Sequence, residues 1–247
     1  TWEEFVKKEI FEPLGMTRST FYVDAIEADA NHATPYDRPT PVELQGIREI
    51  PFLKSDREDM AKGIGAPYGP AGSIMSTVND MLKWVQFNLN NGKVGDKQLI
   101  SEAAMKEMHK ANMLMSEPLL MPCKEMDFFS YGMGWFVETY RGHVMVEHGG
   151  NINGFSALVT MIPDQKLGVV TLTNFNDSFD TYATTYEIID RVLGAKGGDW
   201  NNRWREFVGQ VFAAQPERMK AMNPVRIEGT KPTHDLADYA GTYRNAT

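Results

Sequence analysis

The feature that most limits the fold is a change of hydrophobic period at about Tyr131, where helical spacing gives way to strand-like alternation. Four strands are predicted in succession from there: Met133–Tyr140, His143–His148, Gly154–Ile162 and Leu167–Asn174. Arg141-Gly142 and residues 163–166 make short turns between two of the pairs, as antiparallel hairpins do. The region therefore predicts an antiparallel meander, which needs helices to cover a face.

The amino-terminal half carries helical patterns. Trp2–Phe11 has apolar residues at helical spacing, and Pro13–Gly15 is predicted to close this helix. Thr77, followed three residues later by Asp80, is a capping-box variant that begins a second helix, which Asn91-Gly92 ends. The apolar stripe of this second helix is Leu82, Val85 and Leu89. These patterns predict helices before the meander as well as after it.

Three more helices are predicted. One runs from Ser101 to about Lys110, with Met105 and Met108 as core residues rather than a methionine-rich binding face. The other two, near Thr181–Leu193 and Trp200–Ala214, follow the meander and are expected to cover one face of its sheet.

Two irregular regions suggest the domain organisation. A polar stretch from about His32 to Gly72 carries six prolines, and so long an excursion usually shapes a binding site. Pro224, Gly229 and Pro232 indicate a linker at residues 223–235, after a main domain of residues 1–222. Residues 236–247 are predicted to begin a small appended β-domain that the chain does not complete, with its first strand at Leu236–Tyr243.

Composition excludes several classes of function. The 25 basic and 33 acidic residues give a net charge of −8, which argues against a nucleic-acid partner. No apolar run approaches the roughly 20 residues of a membrane span, and the sequence shows no signal peptide. The single Cys123 rules out an internal disulfide. His143 and His148 lack metal-ligand spacing and a cysteine partner, so no metal or other cofactor is expected.

The segment His148-Gly-Gly-Asn-Ile-Asn-Gly154 lies where one predicted strand ends and the next begins. Consecutive glycines weaken a strand, and close approach of a ligand or another backbone is the usual reason for them. A histidine beside bare backbone could transfer a proton to a bound molecule. A turn with a hydrogen-bonded histidine is the simpler alternative, and the pattern by itself leaves both interpretations open.

Several motifs together resemble the serine β-lactamase/penicillin-binding-protein-like hydrolases, in particular class C β-lactamases and their esterase, D-aminopeptidase and carboxypeptidase relatives. In order and spacing the motifs cover about Thr1 to Leu193. They are Phe11–Met16, Gly72–Leu82, Tyr131–Trp135, Glu147–Gly150, Gly154-Phe155, Ile162–Val170 and Thr173-Asn174. The resemblance implies an α+β fold, an antiparallel sheet flanked by helices, that is incomplete at its amino-terminal side.

The resemblance also implies a site. The family uses a Ser-x-x-Lys helix for nucleophile and base, a Tyr-x-Asn loop for proton transfer, and a Lys-Thr-Gly or His-x-Gly strand. Only the third motif is present: His148 stands at the Lys/His position as the candidate catalytic residue, followed by Gly149 and Gly150, and Asn151 would offer its amide to the oxyanion. No serine in the sequence is followed by lysine three positions later, and the single Tyr-x-Asn, Tyr243–Asn245, lies in the tail.

The implied parent protein is an extracytoplasmic serine hydrolase (periplasmic, secreted or membrane-anchored) that works through an acyl-enzyme on a small-molecule or peptide substrate. His148-Gly149 in place of Lys-Thr lacks the cation and hydroxyl that hold a substrate carboxylate, which favours ester, amide or D-amino-acid peptide substrates over β-lactams. This chain alone is expected to be inactive, to self-associate, and to need the missing amino-terminal segment of the same protein as its partner. The alternative is a non-catalytic binding or scaffold protein of the same fold.

Overall fold

The computed structural model of the protein describes residues 1–38, 46–52, 69–116, 121, 123–196, 198–222 and 228–241. Much of the proline-rich stretch lies outside these residues, and so do Pro224 and the Tyr243–Asn245 motif. No helix in the described part of the chain is both long and apolar enough to span a membrane.

The first helix, α1, has an α-helical start at Trp2–Val6, a π-helical turn at Lys7–Phe11 and a last turn at Glu12–Leu14. Gly15 ends it in the left-handed conformation, with φ 70°. The prediction that Pro13 closes the helix is wrong, because Pro13 lies inside the last turn. The wider π turn directly before it accommodates a residue that cannot donate to the carbonyl four positions earlier.

Short elements and two longer helices follow before the main sheet. In chain order they are α2 (Val23–Ala28), β1 (Tyr36–Asp37), β2 (Arg48–Glu49), α3 (Gly69–Gly72), α4 (Val78–Leu89), β3 (Lys93–Val94), β4 (Lys97–Gln98) and α5 (Glu102–Met108). The Thr77 hydroxyl accepts from the Asp80 amide at 3.3 Å, which confirms the predicted start of α4. Met105 of α5 is buried, as predicted.

The main sheet has six antiparallel strands in the order β10-β9-β8-β7-β6-β5, which confirms the predicted meander. Its strands are β5 (Met113–Leu114), β6 (Met126–Tyr131), β7 (Phe136–Tyr140), β8 (His143–Ile152), β9 (Phe155–Ile162) and β10 (Leu167–Thr173). Four differ from prediction: β5 and β6 were missed, β7 begins at Phe136 rather than Met133, and β8 continues past His148 to Ile152.

Helices cover both faces of this sheet. Helix α4 packs on one face, where Val85 lies so close to Gly168 that a side chain at Gly168 would overlap it. Of the predicted stripe of α4, Val85 and Leu89 face the sheet, whereas Leu82 is 37 % exposed. The half-buried Met81 and Trp84 pack there instead. On the other face lie α6 (Asp180–Val192) and α7 (Trp200–Met222), near the predicted positions. The fold is α+β, as predicted.

The carboxy-terminal part differs from prediction in two ways. Helix α7 continues past the expected end at Ala214 to Met222. The strand predicted from Leu236 is wrong for its first residues, because Leu236–Tyr239 forms a 3₁₀ turn. Local bonds account for this turn, since the Tyr239 hydroxyl lies 2.8 Å from the Thr233 hydroxyl.

Candidate active site

The predicted site motif lies on the part of β8 that extends beyond β7. The two strands pair only as far as Phe136 opposite Glu147. From His148 to Ile152, β8 pairs with β9 on one side and with no strand of the described residues on the other. Unpaired backbone of this kind is available to an extended ligand. Sequence analysis expected the motif at a strand end, whereas the structure makes it continuous strand up to the turn before Phe155.

The His148 ring is exposed and held by two hydrogen bonds. Its Nδ1 lies 2.6 Å from the Gly149 carbonyl oxygen, and its Nε2 lies 3.0 Å from the Tyr131 hydroxyl. A carbonyl can only accept, so Nδ1 carries the proton and Nε2 of the neutral ring accepts from Tyr131. The basic nitrogen of His148 therefore faces a hydroxyl that can itself exchange a proton.

Two aromatic rings fix the position of the imidazole. The ring centroid of Phe136 is 5.3 Å from that of His148, and Tyr131 lies edge-on to Phe136 at 4.8 Å. Sequence analysis did not assign Tyr131 to the site. It was visible in the motif Tyr131–Trp135, but its contact with His148 depends on strand β6, which was not predicted.

The two glycines after His148 have different surroundings. A Cβ at Gly149 would lie 2.5 Å from the Tyr182 hydroxyl oxygen, so no side chain fits there. A Cβ at Gly150 would have no atom of the described residues within 4 Å. Gly149 is thus required by packing inside the protein, whereas Gly150 leaves open space that a ligand can fill.

Asn151 is held through its side chain. The buried Ser156 hydroxyl lies between the Asn151 carboxamide oxygen and the Phe175 carbonyl, and accepts from the Ser178 amide at 2.9 Å. The Asn151 carboxamide oxygen therefore has a partner within the protein. The role of the Asn151 backbone amide in a site remains a prediction.

Two acidic side chains lie beneath the motif. Glu147 is 5 % exposed and accepts hydrogen bonds from Thr160 at 2.8 Å and Tyr186 at 3.1 Å. Glu138 on the neighbouring strand is equally buried. Burial raises the pKa of Glu147 to about 7, and burial together with the nearby Glu147 raises the pKa of Glu138 to about 8.

An apolar cleft lies beyond the end of the motif, next to the hairpin that joins β8 to β9. It encloses about 500 Å³, including the part that is open to solvent. Its lining includes Phe21, Val23, Ile74, Met75, Ile152 and Phe155. In the described part of the chain, no group of three or more His, Cys, Asp or Glu side chains could hold a metal ion.

Comparison with known proteins identifies relatives. The sequence profile of the Beta-lactamase family matches residues 1–193. Unguisins hydrolase ungD of Aspergillus violaceofuscus is 29% identical over an alignment of 258 positions, which covers 96% of this chain and 43% of that protein. Protein flp of Staphylococcus aureus strain MW2 is 28% identical over 180 residues, 72% of this chain and 30% of flp. The chain thus spans less than half the length of these relatives.

Solved structures share the fold. The octameric penicillin-binding protein homologue from Pyrococcus abyssi superposes with a TM-score of 0.61 at 23% identity, over 79% of this chain and 38% of that one. A class C beta-lactamase superposes with a TM-score of 0.51 at 19% identity, over 80% of this chain and 52% of that one. The resemblance and the fold class predicted from the sequence are confirmed.

Proposed function

The chain belongs to the Beta-lactamase family, and we propose that the protein it belongs to is a serine hydrolase that acts through an acyl-enzyme on ester, amide or D-amino-acid peptide substrates. The observation that carries this proposal is the open edge of β8, where the exposed His148 ring stands beside the empty space at Gly150. An extended substrate can pair with this edge while its reacting carbonyl lies near the imidazole.

In this proposal His148 handles the proton. Its Nε2 faces Tyr131, and together they form a relay that can take a proton from a nucleophile or return one to a leaving group. Backbone amides of the motif, with Asn151 as the candidate, would stabilise the oxyanion, since donors fixed before reaction need no reorganisation. Tyr131 adds a proton carrier that the sequence prediction had assigned only to the Tyr-x-Asn motif.

The nucleophile would come from outside residues 1–247, which contain no Ser-x-x-Lys. The partner we propose is therefore an amino-terminal segment of the same protein. Unpaired strand edges and apolar surfaces recruit other chains, so this chain alone would self-associate. We also propose an extracytoplasmic location, as expected for the family.

The residues at the motif indicate which class of substrate the site favours. His148 and Gly149 replace a lysine and a threonine that would bind a substrate carboxylate, so esters and amides suit the site better than β-lactams. The relative named unguisins hydrolase is consistent with a hydrolase of this kind.

Labelling with a fluorophosphonate probe and a fluorescent penicillin tests the proposal. A form of the protein extended at its amino-terminal side is expected to be labelled on the serine of a Ser-x-x-Lys motif. The 247-residue chain, as the matched control, should remain unlabelled. Stoichiometric labelling of a serine within residues 1–247 would overturn the assignment, and an extended form without the motif would support the non-catalytic scaffold.

Substitution of His148 tests its role in that extended form. His148→Ala should lower kcat/KM for an ester by about 10²–10⁴-fold, the usual loss for a positioned proton-transfer group. Gly150→Val should also lower activity by filling the open edge, and no atom of the described residues lies within 4 Å of the added Cβ to be displaced. Unchanged kinetics in His148→Ala would reduce the histidine to a structural role.

A further inference from the structure

Glu138 and Glu147 are buried together on neighbouring strands. Glu138 of β7 pairs with Met145 of β8, and Glu147 is the next residue of β8 on the same face of the sheet. Diagonal neighbours of this kind lie within reach of long side chains. Both residues are 5 % exposed, so two acidic groups share one buried environment.

The groups that face this pair are neutral. Strand β9 contributes the Thr160 hydroxyl, and helix α6 contributes the hydroxyls of Tyr182 and Tyr186. The cation Arg141 is engaged by Asp190, with Glu125 at 3.8 Å. Among the ion pairs of the described residues, none involves Glu138 or Glu147. Without a cation, buried carboxyl groups are held in their protonated form.

This cluster lies directly under the site motif. Glu147 precedes His148 in β8, and two hydroxyls donate to its carboxyl group. Tyr182, whose pKa is raised by burial and by both glutamates, covers the same face of Gly149. The side chains that support this stretch of β8 from below therefore belong to one polar cluster.

We propose that Glu147, together with Glu138, is a positioning residue of the active site, whose protonated pair holds β8 in the geometry that presents His148, Gly149 and Gly150. The inference rests on the proposed function, because only that function makes this strand part of an active site. The buried pair itself is a feature of residues 1–247. With a pKa of about 7 for Glu147 and about 8 for Glu138, the pair loses its protons near neutral pH.

Loss of the protons has a mechanical consequence. Two carboxylates in a low-dielectric interior repel each other, and the two hydroxyl donors on Glu147 serve only one of them. The charged pair must gain water or move apart. Since Gly149 has no space toward Tyr182, any such movement displaces the motif strand.

Nuclear magnetic resonance of the protein extended at its amino-terminal side tests this directly. The backbone amide signals of residues 148–151 are followed from about pH 5.5 to 9.5. We expect an inflection near pH 7–8, matching the two glutamates. Glu147→Gln and Glu138→Gln should each remove or displace it, because a glutamine keeps the size but does not titrate. Glu187→Gln, on the outer side of α6, is the matched control and should retain it.

A parallel series in His148→Gln separates the pair from the imidazole, and the inflection should persist there. Signals that stay constant through pH 7–8 in the wild type would overturn the proposal, as would an inflection that stays at the same pH in both glutamine variants. If Glu147→Gln does not fold, the wild type and Glu138→Gln decide. The titration needs no catalysis, so a failed labelling experiment would reject the proposed hydrolase without affecting this result.

A kinetic readout in the extended protein distinguishes positioning from simple stability. The wild type should lose kcat as the pH rises through about 7–8, whereas the double variant Glu138→Gln/Glu147→Gln should not show this loss, because neither position can then release a proton. Identical pH profiles in the two proteins would contradict the positioning role.

Discussion

Two buried acidic groups, one on helix α6 and one in contact with it, have opposite electrostatic outcomes. Near the carboxyl end of the helix, Asp190 accepts from Tyr140 at 2.6 Å, from Trp200 at 2.8 Å and from Arg141 through two nitrogens at 2.7 and 2.8 Å. At the middle of the helix, Tyr186 donates to Glu147, which has hydroxyl donors but no cation. Bonds to Arg141, Tyr140 and Trp200 outweigh burial and lower the pKa of Asp190, while burial raises that of Glu147.

The difference separates two tasks. A carboxylate matched by a guanidinium and two further donors is fixed in its charged state, and it ties α6 to the β7–β8 hairpin and to α7. The pair without a cation can change its charge near neutral pH, and it lies under the candidate site. Perturbed acids that are not neutralised by a structural ion pair are the more informative sign of a functional region.

The largest effect is expected from substitution of Asp190. Asp190→Ala should lower the free energy of unfolding by about 3–5 kcal/mol, because it leaves Arg141 without its main partner and buries two unpaired donors. Urea denaturation measures the loss. Glu187→Ala removes an exposed i,i+4 pair on the same helix and should cost about 0.5 kcal/mol or less. Similar costs for the two variants would show that the Asp190 cluster does not hold the helix.

The two kinds of buried acidic group should affect the dependence of stability on pH in opposite directions. Asp190 and Glu125 have lowered pKa values, so the stability they contribute is present above pH 4 and lost in stronger acid. Glu138 and Glu147 have raised values, so stability falls as the pH rises from 4.5 to about 8. For Glu147 the change is on the order of 3 kcal/mol, at about 1.4 kcal/mol per pKa unit.

Urea denaturation at several pH values tests this division. Glu147→Gln should flatten the decline between about pH 5 and 8 and leave the acid limb unchanged. Asp190→Asn should weaken the acid limb and leave the decline in place. A free energy of unfolding of the wild type that rises from pH 5 to 8 would contradict the assignment of protonated carboxyl groups to Glu138 and Glu147.

The adjacent Gly149 and Gly150 extend the comparison to the candidate site, because the space around them differs. Gly149→Ala should destabilise the protein by about 1–3 kcal/mol, because its methyl group would overlap the Tyr182 hydroxyl. Gly150→Ala enters open space and should change stability by about 0.5 kcal/mol or less. Thermal denaturation of both variants checks this, and equal losses would mean that the two positions do not differ in packing.

Much of the fold could be predicted from the sequence because its signals are local. The alternation from Met133 to Asn174 gave the meander, and Arg141-Gly142 gave its turn, which has φ values of 50° and 83°. The His148–Asn151 motif was predicted as a site because it resembles the third motif of the family, since the pattern by itself left a simple turn open. Local patterns were therefore sufficient for four of the six strands of the sheet, and the resemblance supplied one half of the candidate site.

The other half of the site depends on contacts between distant segments. Strand β6 contains a register irregularity between Met126 and Phe129, which breaks the alternation of the sequence. The strand was therefore not predicted, and neither was the contact of Tyr131 with His148. Glu138 and Glu147 occupy polar positions of their strands, and the local pattern does not show that these positions are buried. Since helices cover both faces of the sheet, these polar positions are buried as well.

The smallest effect concerns the Tyr182 hydroxyl, and it tests whether Gly149 is required for the stated reason. Tyr182→Phe alone should change stability by about 0.5 kcal/mol or less, since only the hydroxyl oxygen is removed. Combined with Gly149→Ala it should restore most of the stability that Gly149→Ala loses, because the next ring atom is 3.4 Å from the new methyl group, an ordinary contact. A double-mutant cycle measures this coupling. Additive losses would place the constraint on Gly149 elsewhere, at the Ala157 carbonyl 3.3 Å from the same position.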